Sequence, residues 1–249
     1  SDGGERVLSD AERVLFLHAH PDDEVLATGV LIADLVARGV AVAVVTATRG
    51  ERGEVVPGPL SPLAGTPALV ARRETELAGA MGVLGVNAHS FLGDPPALAA
   101  GAGRRRYTDS GMRWVTPTLA GPGDDAGPDA LTAAAPDEVS GDIVALARHL
   151  GAQVLVSYAD DGGYGHPDHV RCHDATRAAA GVMGRPFEVI VTDPDRPHDS
   201  WYVPDAQDLD RVVRAHHAYG TQFTVTGLDI THVGGQRQSM VLAAGLRRL

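Results

Sequence analysis

Apolar residues along this chain fall into short dense blocks separated by stretches of helical spacing. Arg13 to Ala19 (RVLFLHA) is one block and Val40 to Ala47 (VAVAVVTA) a second. Between them, from Glu24 to Arg38, the residues Val25, Leu26, Ile32, Leu35 and Val36 roughly follow a helical period, and Gly39 stands where a C-cap glycine would. Two buried strands joined by a helix predict parallel pairing through a right-handed crossover. The alternation continues less cleanly. It gives a helix from about Leu69 to Leu84, a strand near Ala88 to Leu92, a helix around Glu138 to Leu150 and a strand at Gln153 to Ser157. A helix after Pro167 and a strand at Phe187 to Val191 follow.

This pattern predicts an α/β fold, a Rossmann-like open, mostly parallel, doubly wound sheet. The stretch from Gly93 to Pro136 is rich in Gly, Pro and Ala and has no clear period. It is too long for a plain connection and is read as an active-site loop, since it carries Arg104, Arg105, Arg106 and Asp109. Asp205 to Tyr219 reads as one more helix, and no element is assigned beyond it. The expected organisation is a single domain over residues 1–249, with a core at about 12–192 and a short C-terminal extension at about 193–249.

Composition narrows the chemistry. A hydrophobic content of 44% over 249 residues suits one substantial core. No apolar run reaches the length of a membrane span, and no basic segment leads into an apolar stretch at the start, so neither a span nor a signal peptide is expected. The net charge of -11 argues against nucleic acid as a partner. Cys172 is the only cysteine, which excludes an intramolecular disulfide and a cysteine-rich zinc cluster and fits the cytoplasm. All 21 basic residues are arginine, so Schiff-base lysines and the P-loop lysine are excluded. A Gly-x-Ser-x-Gly nucleophile elbow is also missing. A homo-oligomer is compatible with all of this.

Two polar clusters stand at strand-to-helix junctions. The first is His18-Ala19-His20-Pro21-Asp22-Asp23-Glu24, directly after the first strand, where a nucleotide-binding turn would place glycines. The second is Asp160-Asp161-Gly162-Gly163-Tyr164-Gly165-His166-Pro167-Asp168-His169, in which Pro167 suits the first helical position. Taken singly, Asp22 could be an N-cap and Glu24 a first-turn acid favoured by the helix dipole. Together the clusters occupy one rim of the sheet. One histidine and an aspartate from the first, with a histidine from the second, would make a three-ligand site with an open fourth position. His18 reads as a packed residue or one supporting the site, and His173 as one capping a helix face. His89, His149, His198 and His232 have no supporting neighbours.

At these clusters the chain resembles the LmbE-like, or PIG-L, family of zinc-dependent deacetylases. The carriers are Ala-His-Pro-Asp-Asp-Glu at Ala19 to Glu24 and His-Pro-Asp-His at His166 to His169, and the resemblance spans roughly Val14 to Ala180. Within the family it is closest to the mycothiol-pathway group acting on N-acetylglucosaminyl-inositol, through Gly163-Tyr164-Gly165 and Asp109-Ser110-Gly111-Met112. The resemblance implies zinc ligands His20, Asp23 and His169, with Asp22 as general base. It implies that a protonated His166 stabilises the tetrahedral oxyanion, that Asp168 orients or charges that imidazole, and that Tyr164 is a mobile active-site residue. Arg73 and Asp109 align with sugar-binding positions. The family commonly carries His-x-Ser/Thr-Gln near the C-terminus, where Tyr219-Gly220-Thr221-Gln222 here has tyrosine in the histidine place.

The expected activity is therefore hydrolysis of the acetamide of a small N-acetylated amino sugar, with Zn2+ as cofactor, although Fe2+ also accepts two histidines and a carboxylate. A mycothiol-conjugate amidase or an antibiotic-pathway sugar deacetylase would use the same site with different walls. A metal-stabilised binding module without turnover is a reading of another class, opposed by the spare Asp22 and His166.

Overall fold

The apolar blocks pair as the hydrophobic pattern requires. The computed structural model describes residues 6–249. Its first half runs β1 (Arg13–His18), α1 (Asp23–Ala37), β2 (Ala41–Thr46), α2 (Pro67–Leu84) and β3 (Ala88–Phe91). A hairpin of β4 (Arg113–Thr116) and β5 (Leu119–Gly121) leads to α3 (Pro136–Leu150), β6 (Val154–Ser157), α4 (Pro167–Met183) and β7 (Phe187–Val191). The chain then forms β8 (Ser200–Tyr202), α5 (Ala206–His216), β9 (Phe223–Thr226), β10 (Asp229–His232), β11 (Arg237–Ser239) and β12 (Ala244–Arg248).

The main sheet has the order β3-β2-β1-β6-β7-β12-β8. Its first five strands are parallel, with Phe16 opposite both Val44 and Val156, and β12 runs antiparallel to β7 and β8. The chain steps outward from β1 to β3 and then returns to the other side of β1 at β6. This reversal opens a crevice beyond the carboxyl ends of β1 and β6, where ligands bind in such sheets. Helices α1, α2 and α5 pack together, and α3 packs on α4. The strand interiors are almost wholly buried, Phe16, Val45, Leu155 and Val156 among them, against Leu31 and Ile32 of α1 in the same core. Among the described residues no helix is long and apolar enough to cross a membrane.

The structure adds elements where the pattern was silent. The long loop contains the β4–β5 hairpin, whose β4 residues are all exposed. The C-terminal region is not a mere extension: β9, β10 and β11 make a small antiparallel sheet, while β8 and β12 enlarge the main one. Gly245 is required there, since a Cβ would stand 2.2 Å from the Ser200 carbonyl oxygen across the pairing. The helix expected to reach Tyr219 ends at His216.

His89, on edge strand β3, shares a 2.9 Å hydrogen bond between its Nε2 and Thr46 Oγ1. Burial, reinforced by the nearby Arg49 charge, holds its pKa down to about 4 from an ordinary 6.5. The folded protein therefore keeps His89 neutral while the unfolded chain takes up a proton, so its contribution is complete above about pH 6.5 and is lost as pH falls toward 4. Urea unfolding of His89→Gln across that window should show a shallower acid decline than the parent. Parallel declines would remove His89 as a cause.

Candidate active site

The first polar cluster is shaped by an uncommon backbone. Asp22 has φ 95°, in the left-handed region, and its side chain makes no capping hydrogen bond to α1. The N-cap role open to Asp22 from sequence is thus not taken up by its carboxylate. A non-glycine residue there costs of order 1–3 kcal/mol and persists only where surrounding contacts enforce it. Those contacts are present. The Asp22 carbonyl accepts from the backbone N–H groups of Val25 and Leu26, and Gln222 Nε2 donates to the Pro21 carbonyl at 2.7 Å. Tyr219, fully buried, donates from its hydroxyl to Glu24 Oε1. Among the described residues the Asp22 carboxylate has no protein hydrogen-bond donor, and it makes no cap to α1.

Asp23 is anchored on two sides: its Oδ2 accepts from the His20 backbone N–H at 2.9 Å and from Tyr158 Oη at 2.7 Å. Tyr158 Oη accepts in turn from the Ala19 N–H at 2.8 Å. The Tyr158 ring stacks on His169, centroids 4.0 Å apart and planes within 7°. His169 lies in the first turn of α4, where its Nδ1 donates to the Gly162 carbonyl at 3.0 Å. That bond fixes the tautomer and leaves Nε2 as a bare acceptor. Nε2 is buried, has no hydrogen-bond partner, and lies 3.2 Å from Asp23 Oδ2.

His20 completes the group. Its Nδ1 is 3.4 Å from Asp23 Oδ2, while its Nε2 donates to Asp168 Oδ2 at 2.9 Å and lies 3.5 Å from Asp109 Oδ1. Donor atoms of His20, Asp23 and His169 all fall within 4.8 Å of one another, as do those of His20, Asp109, His166 and Asp168. The two sets differ in how far the protein already satisfies them. In the second, His20 Nε2 is bonded to Asp168, and His166 Nδ1 accepts the Asp168 backbone N–H at 3.1 Å. In the first, the His169 Nε2 lone pair has nothing to bind, whereas the unpartnered atom of the second is Asp168 Oδ1, on a carboxylate whose other oxygen is already twice hydrogen-bonded. Separations of 3.2 and 3.4 Å also match adjacent corners of a tetrahedron with bonds of about 2.0–2.1 Å. The residues present thus fit a divalent metal at His20, Asp23 and His169.

Electrostatics follow from crowding charge into a buried rim. Burial pushes the Asp22 carboxyl well above its ordinary value, and Asp23 and Glu24 add to the shift. Asp23 goes the other way: burial opposes its ionisation, but His169 and His20 hold it well below the carboxylate range. His20 is likewise opposed by burial and yet raised by Asp109, Asp168 and Asp23. Burial, then His20 and His169, lowers His166 to about 4.

Three expectations change. Asp168 does not orient His166 through its carboxylate, which instead takes His20 Nε2 and the Ser110 N–H; its backbone N–H donates to His166 Nδ1, and its charge acts on that ring by raising its pKa against the larger effect of burial. His166 is not an imidazolium, because its Nδ1 is an acceptor to that N–H and its proton sits on Nε2. Arg73 is 1% exposed. Its guanidinium is taken up by the carbonyls of Gly50 and Glu54 and by Thr221 Oγ1, so it holds the loop after β2 rather than facing a cleft. Asp109, by contrast, reaches the site beside His20, and Tyr164 stands 60% exposed with its ring 5.1 Å from that of His169. Sequence reasoning missed Tyr158, and quoted Ser110 only as part of a motif, without a role. Tyr158 directly follows the last residue of β6, a signal that could have found it; for Ser110 the signal was its place beside Asp109 in that motif. His18 is buried between Tyr158 Oη and Thr28 Oγ1, in support of the site.

The fold and site together define an open α/β protein with a donor set that could hold a metal ion at its topological switch point. The profile of the PIG-L family, described as GlcNAc-PI de-N-acetylase, matches residues 15–180, and the chain belongs to that family. The 1D-myo-inositol 2-acetamido-2-deoxy-alpha-D-glucopyranoside deacetylase of Kineococcus radiotolerans is 44% identical over 76% of this chain and 54% of its own length. A protein of the same name, numbered 1, from Saccharopolyspora erythraea is 47% identical over 86% of this chain and 79% of its own. The chain thus spans between about half and four fifths of the length of these relatives. The deacetylase–teicoplanin complex shares the fold with a TM-score of 0.60 at 22% identity, covering 95% of this chain and 98% of that one. The 4-carboxy-2-hydroxymuconate hydratase from Pseudomonas putida shares it with a TM-score of 0.56 at 16% identity, covering 96% of each chain.

Tyr158→Phe tests the support beneath the ligands. Losing the hydrogen bond to Asp23 should weaken metal affinity about 10- to 100-fold, the usual effect of removing such a partner. Chelator-competition titration measures this, with His169→Ala as the reference for losing a donor. Full affinity in His169→Ala would exclude that residue from the metal set.

Proposed function

We propose that this protein is a zinc-dependent N-deacetylase that hydrolyses the acetamide of a small molecule containing N-acetylglucosamine, with N-acetylglucosaminyl-inositol as the substrate to try first. One observation carries the reading: the unpartnered Nε2 of His169 faces Asp23 beside His20, with an uncommitted carboxylate next in sequence at Asp22. The activity named for the relatives supplies the substrate class. His20, Asp23 and His169 would hold the ion, and Fe2+ suits the same donors. The single free, buried Cys172 fits a cytoplasmic setting.

When bound, such an ion supplies Lewis acidity, bringing the pKa of a water from about 15.7 to about 7 and polarising a carbonyl. Asp22 takes the proton of the attacking water; its strained backbone keeps the carboxylate clear of capping duty for this purpose. Neutral His166 offers its Nε2–H to the acetamide oxygen as negative charge develops there, a contribution on the order of 3 kcal/mol. The proton on Asp22 passes to the departing nitrogen, and water and amide become acetate and a free amine. Asp168 positions His20, and Tyr158 positions Asp23. Asp109 accepts a hydroxyl of the sugar, Tyr164 closes over it, and Arg73 acts on the sugar side only through the loop it holds.

A binding module without turnover would have no use for a strained, uncapped Asp22. Asp22→Asn preserves shape but cannot accept a proton, so kcat for amine release should fall about 10²- to 10⁴-fold. Metal stoichiometry should be unchanged. Near-parental turnover would end the general-base role, and loss of metal would make Asp22 a ligand.

A further inference from the structure

Two cavities meet at Tyr164. One, of about 920 Å3, is lined by Asp23 and His169 of the candidate metal set. The other, of about 770 Å3, lies between the β4–β5 hairpin and the faces of α3 and α4, and shares only Gly163 and Tyr164 with the first. Gly162, Gly163 and Gly165 all have positive φ, so Tyr164 rides on backbone that only glycine adopts freely.

The second cavity is walled by chemistry that neither the metal nor the proposed reaction uses. On the hairpin side stand Trp114 and Leu119, each 58% exposed. An indole left this open on a two-stranded ribbon is apolar area with no partner, and interaction sites are where such area collects. Opposite it lie four carboxylates, Asp137, Asp160, Asp161 and Asp174, of which Asp161 is paired with Arg196 at 2.8 Å from outside the cavity, and the lining itself holds one arginine. That cation, Arg171, is already spent on the carbonyls of Thr132 and Ala134. The wall therefore repels phosphates and carboxylates and presents hydroxyl acceptors beside a flat aromatic face. A ring with apolar C–H faces and a hydroxylated rim satisfies both walls; an alkyl chain would leave the carboxylates unmet.

We infer that this cavity is a second subsite, which binds a neutral hydroxylated ring carried on the aglycone of the substrate, with Trp114 as its stacking platform. The inference rests on the deacetylase reading for the direction of the substrate, since the acetamide lies at His169 and the chain of rings passes Tyr164. It makes Trp114 a specificity residue for extended glycosides and indifferent to short ones.

The experiment compares the methyl glycoside of N-acetylglucosamine with N-acetylglucosaminyl di- and trisaccharides, in the metal-loaded parent, Trp114→Ala and Trp114→Phe. Turnover is read by amine release and binding by calorimetry. The parent should gain about fivefold to tenfold in kcat/KM and in affinity on extension, Trp114→Ala should lose that gain, and Trp114→Phe should restore most of it. Values for the methyl glycoside should not change. Equal affinity of the parent and Trp114→Ala for the extended glycosides overturns the subsite. Trp114-dependent binding without turnover of any glycoside would overturn the deacetylase reading and support the subsite.

Discussion

The parallel pairing of β1 with β6 is the contact on which the site depends. His18 and Tyr158, 140 residues apart, meet only because Phe16 is set opposite Val156. A slip of one residue would turn Tyr158 to the other face of the sheet and separate it from Asp23. The register is secured by burial, since every residue of β6 and all but the first of β1 are hidden from solvent. Hydrophobic alignment of two strands thus sets the sub-ångström positions of polar groups beyond their ends.

Those polar groups would be costly to bury one at a time. Their arrangement offsets the cost by making each serve two partners. Asp168 accepts from a histidine and a backbone N–H, Asp23 from a backbone N–H and a phenol, and Tyr158 both donates and accepts. Among the described residues, what remains unmatched near the site is Glu24 Oε2, Asp168 Oδ1 and His169 Nε2, and His169 Nε2 lies beside Asp23 and His20. An unmatched acceptor inside an otherwise satisfied network marks where an external partner belongs.

Much of this was readable in the chain because it is local. The two clusters follow strands, Pro167 marks the start of α4, and the spacing from His166 to His169 places both at its N-terminus. The parts that were not readable depend on distant pairings. The carboxylate of Asp168 lies near His166 in sequence, but the fold turns it to His20, 148 residues away. Arg73 looks like a free cation in the sequence and becomes buried only when Thr221 arrives beside it. Strands β8 and β12 are short, carry weak alternation, and gain their identity from the edge they complete.

The clamp from Tyr219 to Gln222 links these observations to the order of synthesis. Gln222 bonds the Pro21 carbonyl, Tyr219 bonds Glu24, and Thr221 bonds Glu76 through both its hydroxyl and its backbone N–H. The turn bearing Asp22 leaves the ribosome early, whereas the residues that hold it strained arrive about 200 positions later, some 10–40 s at ordinary elongation rates. A nascent chain therefore carries the turn at Asp22 without this clamp until the segment at Tyr219 to Gln222 has been made.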